Sequence, residues 1–335
     1  MLPVKPQIIF LVGPTAVGKT EIALYLAKKL KAEIISCDSM QIYKGMDIIA
    51  SKPSLGQLKT IPHYLISTIP SEKAYNVSQY RKDALKIIKE IVKRKKIPLF
   101  VGGTGLYMAI LINGIFELDT QGSKIRKKLQ KIALNKGSDY LHKELHKVDP
   151  EAAEKIHHHD AKRIIRALEV FKLTGKSITA LQKLRHGLKD DYDIKIFCLD
   201  IKREELYKRI DERVDRMFKQ GLVNEARRLL KKNLSKTAAC AIGLNELKGY
   251  FAGIYGQDVA KHFMKRNSRR YAKRQLTWFR KDKSIQWVKI KEMDKPKEIT
   301  KKILMKITSQ THQHIGRSEL QFTLPFQGFR KLSAH

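Results

Sequence analysis

Gly13-Pro14-Thr15-Ala16-Val17-Gly18-Lys19-Thr20 is the stretch that decides the fold of this chain. It fits Gly-x-x-x-x-Gly-Lys-Ser/Thr, a motif that acquires meaning only between a strand and a helix. Both flanks are present. Gln7-Ile-Ile-Phe-Leu-Val12 is a continuous apolar run, as expected of a strand buried on both faces. A helix is predicted from Lys19 to about Lys31, with Ile22, Leu26 and Leu30 on one stripe. The glycines let backbone N–H groups turn inward around phosphate oxygens, and the helix N-terminus adds partial positive charge. Lys19 is placed to bind terminal phosphate oxygens, and the Thr20 hydroxyl to help hold Mg²⁺. Gly13, Pro14, Thr15, Ala16, Val17, Gly18, Lys19 and Thr20 therefore read as a site for a di- or triphosphate, against the plain alternative of a glycine turn.

Outward from the loop, strand and helix alternate. Glu33–Cys37 reads as a second strand ending at Asp38, a helix is predicted from Val77 to Lys95, and Pro98–Val101 runs as a strand into Gly102-Gly103-Thr104-Gly105. Such alternation implies an α/β fold, a P-loop parallel sheet with crossover helices. Residues 123–182 have helical spacing and almost no strand signal, Ile194–Asp200 returns to strand, and helical patterns run from Arg203 to Lys281. This order predicts one catalytic core from residues 1–120 and 190–307, a helical insertion at 121–189, and a loose tail at 308–335. Ligands lie at the carboxyl ends of parallel strands, so Gly13–Thr20, Asp38 and Thr104 should share one crevice. Asp38 there is a metal helper, a general base or a helix cap. Asp200, at the end of the later strand, is the other acid placed to support Mg²⁺.

Of the 335 residues, 42% are hydrophobic, with 12 Phe, 12 Tyr and 2 Trp, which provides a real core and excludes wholesale disorder. Lys plus Arg number 68 against 33 acids, a net charge of +35, and such a chain calls for a polyanion unless it simply reflects a Lys-rich proteome. Cys37, Cys198 and Cys240 form no Cys-x-x-Cys pair, which argues against a zinc knuckle or a disulfide framework. Lys5 and Pro6 interrupt any signal-peptide pattern, and no run nears the roughly 20 apolar residues of a membrane helix, so a cytoplasmic protein without membrane attachment is expected.

The basic charge is patterned. From Lys261 to Lys283 there are ten Lys or Arg and one acid, Asp282. At helical spacing Arg266, Arg269, Arg270, Lys273, Arg274, Arg280 and Lys281 fall within roughly 140°, opposite Tyr271, Gln275, Trp278 and Phe279. Lys162, Arg163 and Arg166 likewise share a face, opposite Ile164, Leu168 and Phe171. A solvated face normally mixes signs, and the first stripe barely does, so RNA backbone contact is the better reading. His157-His158-His159 invites a metal reading, but adjacent histidines on a helix diverge, which favours a solvated run or an indirect RNA contact.

Several strings together resemble tRNA dimethylallyltransferase in its bacterial form, over roughly residues 7–290. They are Gly13–Thr20, Ile35-Ser-Cys-Asp38-Ser39-Met40-Gln41-Ile-Tyr43, Lys44-Gly-Met-Asp47, Val101-Gly-Gly-Thr104-Gly-Leu-Tyr107, Val148–Ala153, Asp160–Val170 and Arg270–Arg280. The resemblance implies transfer of a dimethylallyl group from dimethylallyl diphosphate to N6 of the adenosine just 3′ of the anticodon. It makes Asp38 the general base for a poorly nucleophilic amine, with Lys19, Arg213, the loop amides and Mg²⁺ stabilising the departing diphosphate. Thr104 would position the amine or the diphosphate. For the anticodon stem-loop of tRNA it implies contacts from Asp38, Ser39, Met40, Gln41, Thr104, Arg126, Lys162, Arg163, Ile164, Ile165, Arg166, Arg270, Lys273 and Arg274. The target base must be flipped out of its stack before Asp38 reaches it. The chain is expected to work as a monomer.

Judged by its own neighbours, Arg213 sits on a solvated helix face beside Glu212 and Asp215. The stretch Cys240–Asn245 departs from the family pattern, which carries polar, charged or aromatic residues there, and no RNA contact is assigned to it. Three rivals remain. An adenylate isopentenyltransferase acting on a free nucleotide needs neither the insertion nor the basic helix. A P-loop kinase predicts ATP turnover with an acid such as Asp200. A non-catalytic, GTPase-like RNA-binding module predicts nucleotide-dependent affinity and no product.

Overall fold

The computed structural model describes residues 5–116, 118 and 124–314. In chain order its elements are β1 (Gln7–Val12), α1 (Lys19–Leu30), β2 (Ala32–Cys37), α2 (Leu55–Thr60), β3 (His63–Tyr64), α3 (Val77–Lys93), β4 (Ile97–Gly102) and α4 (Gly105–Asn113). Then follow α5 (Lys124–Val148), α6 (Pro150–Lys155), α7 (Ala161–Thr174), α8 (Ile178–Lys183) and α9 (Leu188–Asp191). The chain closes with β5 (Asp193–Ile201), α10 (Arg203–Lys219), α11 (Leu222–Leu230), α12 (Leu244–Phe251), α13 (Gln257–Phe279), β6 (Gln286–Ile290) and α14 (Pro296–His314).

The six strands form one sheet in the order β3-β2-β4-β1-β5-β6, with every pairing parallel. β1 is central, and its apolar run is explained by burial on both sides. Ile8, Phe10 and Val12 face one core and Ile9 and Leu11 the other. Phe10 stacks on its register partner Phe100 of β4 at 4.6 Å, a contact worth about 1 kcal/mol beyond the area it buries. Helices α1 and α14 cover one face and α3 and α4 the other, while α10 and α13 contribute to both cores.

The insertion has a third core of its own, in which Leu129, Leu141 and Leu145 of α5 meet Ile164, Ile165 and Leu168 of α7. Its two connections to the sheet domain run backbone against backbone: a Cβ on Gly114 would lie 2.1 Å from the His186 carbonyl oxygen, and one on Gly187 2.1 Å from that of Ile112. No helix among the described residues is long and apolar enough to cross a membrane.

Some elements differ from the sequence pattern. The edge strands β3 and β6 and the short helix α2 carry too few residues to show a period, and the sequence reading did not anticipate them. Leu188 of α9 packs in the sheet domain's core. Asp200 does not end its strand, because β5 continues to Ile201 and pairs Asp200 with Lys289. Helical structure extends past the expected Lys281 into α14, where Ile299, Ile303 and Ile307 pack on the core and the helix continues to His314. The rest of the expected tail lies outside the described residues.

Candidate active site

The loop after β1 turns through positive φ at Gly13 (149°), Ala16 (65°) and Gly18 (96°). A run of this kind aims successive N–H groups into one concavity. Gly18 is the N-cap of α1 and supplies no side-chain cap, so the first-turn N–H groups of the helix face the same space. Lys19 folds back over the loop and donates to the carbonyls of Gly13 (2.9 Å) and Pro14 (2.8 Å). Burial pushes its ammonium down to about 8, with Asp38 opposing the shift and Arg213 adding to it.

Asp38 follows the last residue of β2. Its Oδ1 accepts from the Met40 N–H (2.9 Å), so one oxygen caps the turn that begins there. Among the described residues its Oδ2 takes no hydrogen bond. The cap and the functional reading therefore use different atoms of one carboxylate. Thr104, just past β4, is tied to the same turn: its hydroxyl accepts from the Ser39 N–H (3.1 Å), and its own N–H donates to the Cys37 carbonyl (3.1 Å). β2 and β4 touch so closely here that a Cβ on Gly102 would lie 2.0 Å from the Cys37 carbonyl oxygen. Only glycine fits.

Arg213 comes from α10 and is half-buried. It donates to Ser51 Oγ (2.9 Å) and Thr15 Oγ1 (2.6 Å), and burial lowers its pKa while the nearby Asp38 charge opposes the shift. The expected solvated face is wrong for this residue. Glu212 pairs with Arg216 on the same helix and Asp215 with Lys265 of α13. Thr15, Lys19, Thr20, Asp38, Arg213 and Tyr271 line one crevice of about 980 Å³, and Gly102 lies in its wall. Thr104 adjoins it through Ser39 and Tyr271. Asp200 is not among the lining residues.

Two further crevice residues carry only a helix-packing pattern in the sequence. Gln275 of α13 accepts from the Thr15 N–H (2.8 Å) and donates to the Gly103 carbonyl (2.9 Å), joining the phosphate loop to the end of β4. Tyr271, one turn earlier, sits beside Thr104 and Asp38, and its phenol is raised mainly by burial and then by the Asp38 charge. The opposite wall is held by buried Glu225, whose carboxylate accepts from the N–H groups of Asp47, Ile48 and Ile49. No local pattern signals these links.

The basic residues divide. Arg270, Lys273 and Arg274 are exposed along α13, as expected, while Ala272, Gln275 and Phe279 are buried on its far side. Arg269 is drawn instead to Asp211 of α10 (2.7 Å), and Arg266 packs over Phe263. Trp278, assigned to the packed side, is 40% exposed beside Gly105. In the insertion Lys162 and Arg163 are exposed, and Arg163 lines a second cavity with Trp278, Lys281 and Lys283. Arg126 and Arg166 both pair with the fully buried Glu169. The side chains of Ile164 and Ile165 lie in the insertion's core, between the faces that carry Arg163 and Arg166. Ser39, Met40 and Gln41 are partly buried at the crevice rim, where Gln41 accepts from the Ser36 hydroxyl (2.9 Å).

Comparison with known proteins gives a consistent likeness. The family described as IPP transferase matches residues 41–282. The tRNA dimethylallyltransferase of Halothermothrix orenii is 45% identical over 296 residues, 87% of this chain and 90% of that one. The full-length tRNA isopentenylpyrophosphate transferase of Bacillus halodurans superposes with a TM-score of 0.67 at 37% identity, covering 92% of this chain and 100% of that one. A eukaryotic dimethylallyltransferase acting on tRNA superposes with a TM-score of 0.79 at 26% identity, covering 94% and 81%.

Proposed function

The chain belongs to the IPP transferase family, and on that premise we propose that it transfers a dimethylallyl group from dimethylallyl diphosphate to N6 of the adenosine immediately 3′ of the anticodon in tRNA. The observation that carries the reading is a crevice in which two cations, Lys19 and Arg213, lie beside Asp38 and, among the described residues, form no ion pair. Uncompensated, desolvated positive charge around an anion-binding loop suits a diphosphate that gains charge as it leaves.

In the proposed reaction the adenine amine attacks the allylic carbon, the carbon–oxygen bond to diphosphate breaks, and Asp38 takes the amine proton. Only Oδ2 is left for that proton, since Oδ1 holds the Met40 N–H. Lys19, Arg213 and the loop amides hold the leaving diphosphate. Thr104, anchored to the Ser39 N–H, positions the amine or diphosphate from the other side. Thr20 lines the crevice with a hard hydroxyl oxygen that would suit Mg²⁺ beside the diphosphate, while Asp38 keeps Oδ2 for the proton. Bound there, Mg²⁺ supplies charge neutralisation for the diphosphate. Arg270, Lys273, Arg274, Lys162 and Arg163 are exposed cations suited to the tRNA backbone. The same reading takes the enzyme to be a cytoplasmic monomer.

The decisive assay combines the protein with Mg²⁺, dimethylallyl diphosphate and unmodified bulk tRNA, followed by nucleoside mass spectrometry. Prenylated adenosine that disappears in Asp38→Ala is the expected result. ATP hydrolysis without any prenylated nucleoside would overturn the reading in favour of a P-loop kinase, and prenylation of free AMP but not of tRNA would favour an adenylate transferase.

A further inference from the structure

The three consecutive histidines do not lie on a helix. α6 ends at Lys155 and α7 begins at Ala161, so His157–His159 form the turn between them. A helix would fan neighbouring side chains about 100° apart, whereas this turn gathers them. The rings of His158 and His159 are 3.9 Å apart between centroids, and those of His157 and His158 4.4 Å.

The turn faces α5 just beyond Gly137, whose φ of 79° kinks that helix. There Asp139 Oδ1 lies 2.5 Å from His158 Nδ1 and 3.9 Å from His159 Nδ1. One ligand atom from each of the three residues lies within 4.8 Å of the others, and among the described residues no other group of three His, Cys, Asp or Glu side chains gathers this way. The placement is braced from both sides. His142, three residues after Asp139 on α5, directs Nε2 at the carbonyls of Ala153 (3.0 Å) and Ile156 (2.9 Å), which fastens the end of α6 to α5. Within the turn, the His159 N–H donates to His157 Nδ1 (3.2 Å).

We propose that Asp139, His158 and His159 form a binding site for a divalent transition metal, of which zinc is the type, joining the kinked α5 to the α6–α7 turn. Two imidazole nitrogens and one carboxylate oxygen are a borderline donor set that favours Zn²⁺ over a hard ion such as Mg²⁺. Tetrahedral ligation at about 2.0–2.1 Å sets ligand atoms about 3.3 Å apart, a value between the 2.5 Å and 3.9 Å that now separate Asp139 Oδ1 from the two imidazole nitrogens. The fourth position is open to water, since all three side chains are about half exposed or more. The metal would replace the Asp139–His158 hydrogen bond and add a second polar tie, beside that of His142, to helices already packed through their apolar faces. The site is separate from the crevice, so it stands or falls independently of the transferase reading.

The test uses the full chain carrying Cys240→Ser, which removes the exposed thiol as a competing ligand. Protein stripped with chelator is dialysed against excess Mg²⁺ and then equilibrated with Zn²⁺, and bound zinc is counted by atomic emission. The protein is expected to hold one equivalent more than the His158→Ala/His159→Ala variant. Asp139→Asn is expected to weaken that equivalent by about tenfold or more. Co²⁺ in place of Zn²⁺ should give visible ligand-field absorption that the double variant lacks, and circular dichroism checks that the variant is folded. Equal zinc content in the protein and the folded double variant, or no zinc uptake by either, overturns the proposal and leaves a solvated histidine run.

Discussion

Lys19 and Arg213 around the phosphate loop and Arg126 and Arg166 of the helical insertion hold their charges in opposite ways, although other crevice cations such as Lys52 are paired with carboxylates. In the crevice Lys19 bonds two carbonyls and Arg213 two hydroxyls, so their charge is left for an incoming anion. In the insertion Arg126 and Arg166 converge on the buried Glu169, and on α13 Lys265 and Arg269 pair with Asp215 and Asp211 of α10. A cation whose partner is a neutral dipole advertises a ligand, and one whose partner is a carboxylate supports the fold. Net charge does not distinguish the two, although it drew attention to both.

The sharpest way to break this contrast is at Asp38, the crevice carboxylate that neutralises neither cation through an ion pair. Asp38→Asn should lower single-turnover transfer by about 10²–10⁴-fold with tRNA affinity nearly unchanged, as loss of a general base predicts. Parallel losses of rate and tRNA affinity would instead make Asp38 a binding residue.

A smaller effect concerns the charge state of Lys19. Its pKa, near 8 in the free protein, lies below the ordinary lysine value, so the ammonium is present below pH 8 and lost above it. The KM for the diphosphate donor should rise with pH, approaching about tenfold per unit above 8. A flat KM between pH 7 and 9.5 would show that Lys19 does not meet the diphosphate as a cation.

Gln275→Leu should be costly for a different reason. It leaves the Thr15 N–H and the Gly103 carbonyl without their partner, at about 1–3 kcal/mol for each buried group left unpaired. Urea unfolding should report the loss, together with a raised donor KM from the loosened loop. Unchanged stability would mean that water replaces the amide.

The smallest effects are expected on α13. Arg270→Gln, Lys273→Gln and Arg274→Gln should each weaken tRNA binding modestly and reduce the slope of log K against log salt by about one, with donor KM unaltered. Arg269→Gln, whose guanidinium is committed to Asp211, should lower stability more than it alters that slope. If all four behave alike, the division between free and committed cations does not describe this helix.

Much of the fold was legible because its signals are local. The phosphate loop lies between an apolar run and an amphipathic helix, so neighbouring residues specify strand, turn and helix without reference to the rest of the chain. Asp38 and Thr104 were placed in one crevice because parallel strands deliver their ends to one edge. The two-residue β3 and the edge strand β6 offered no comparable period.

By itself, then, the sequence determined the central parallel strands, the phosphate loop, the strand-end residues and the family resemblance, all carried by short contiguous strings. Only the tertiary structure decided which charges are free. Arg213 meets Thr15 across 198 residues, Gln275 meets the same residue across 260, and Arg269 meets Asp211 across 58. It also decided that the histidines occupy a turn facing Asp139. Hydrophobic periodicity is a property of neighbours in the chain. Charge compensation is a property of neighbours in space, and it is settled only when folding brings the distant partners together.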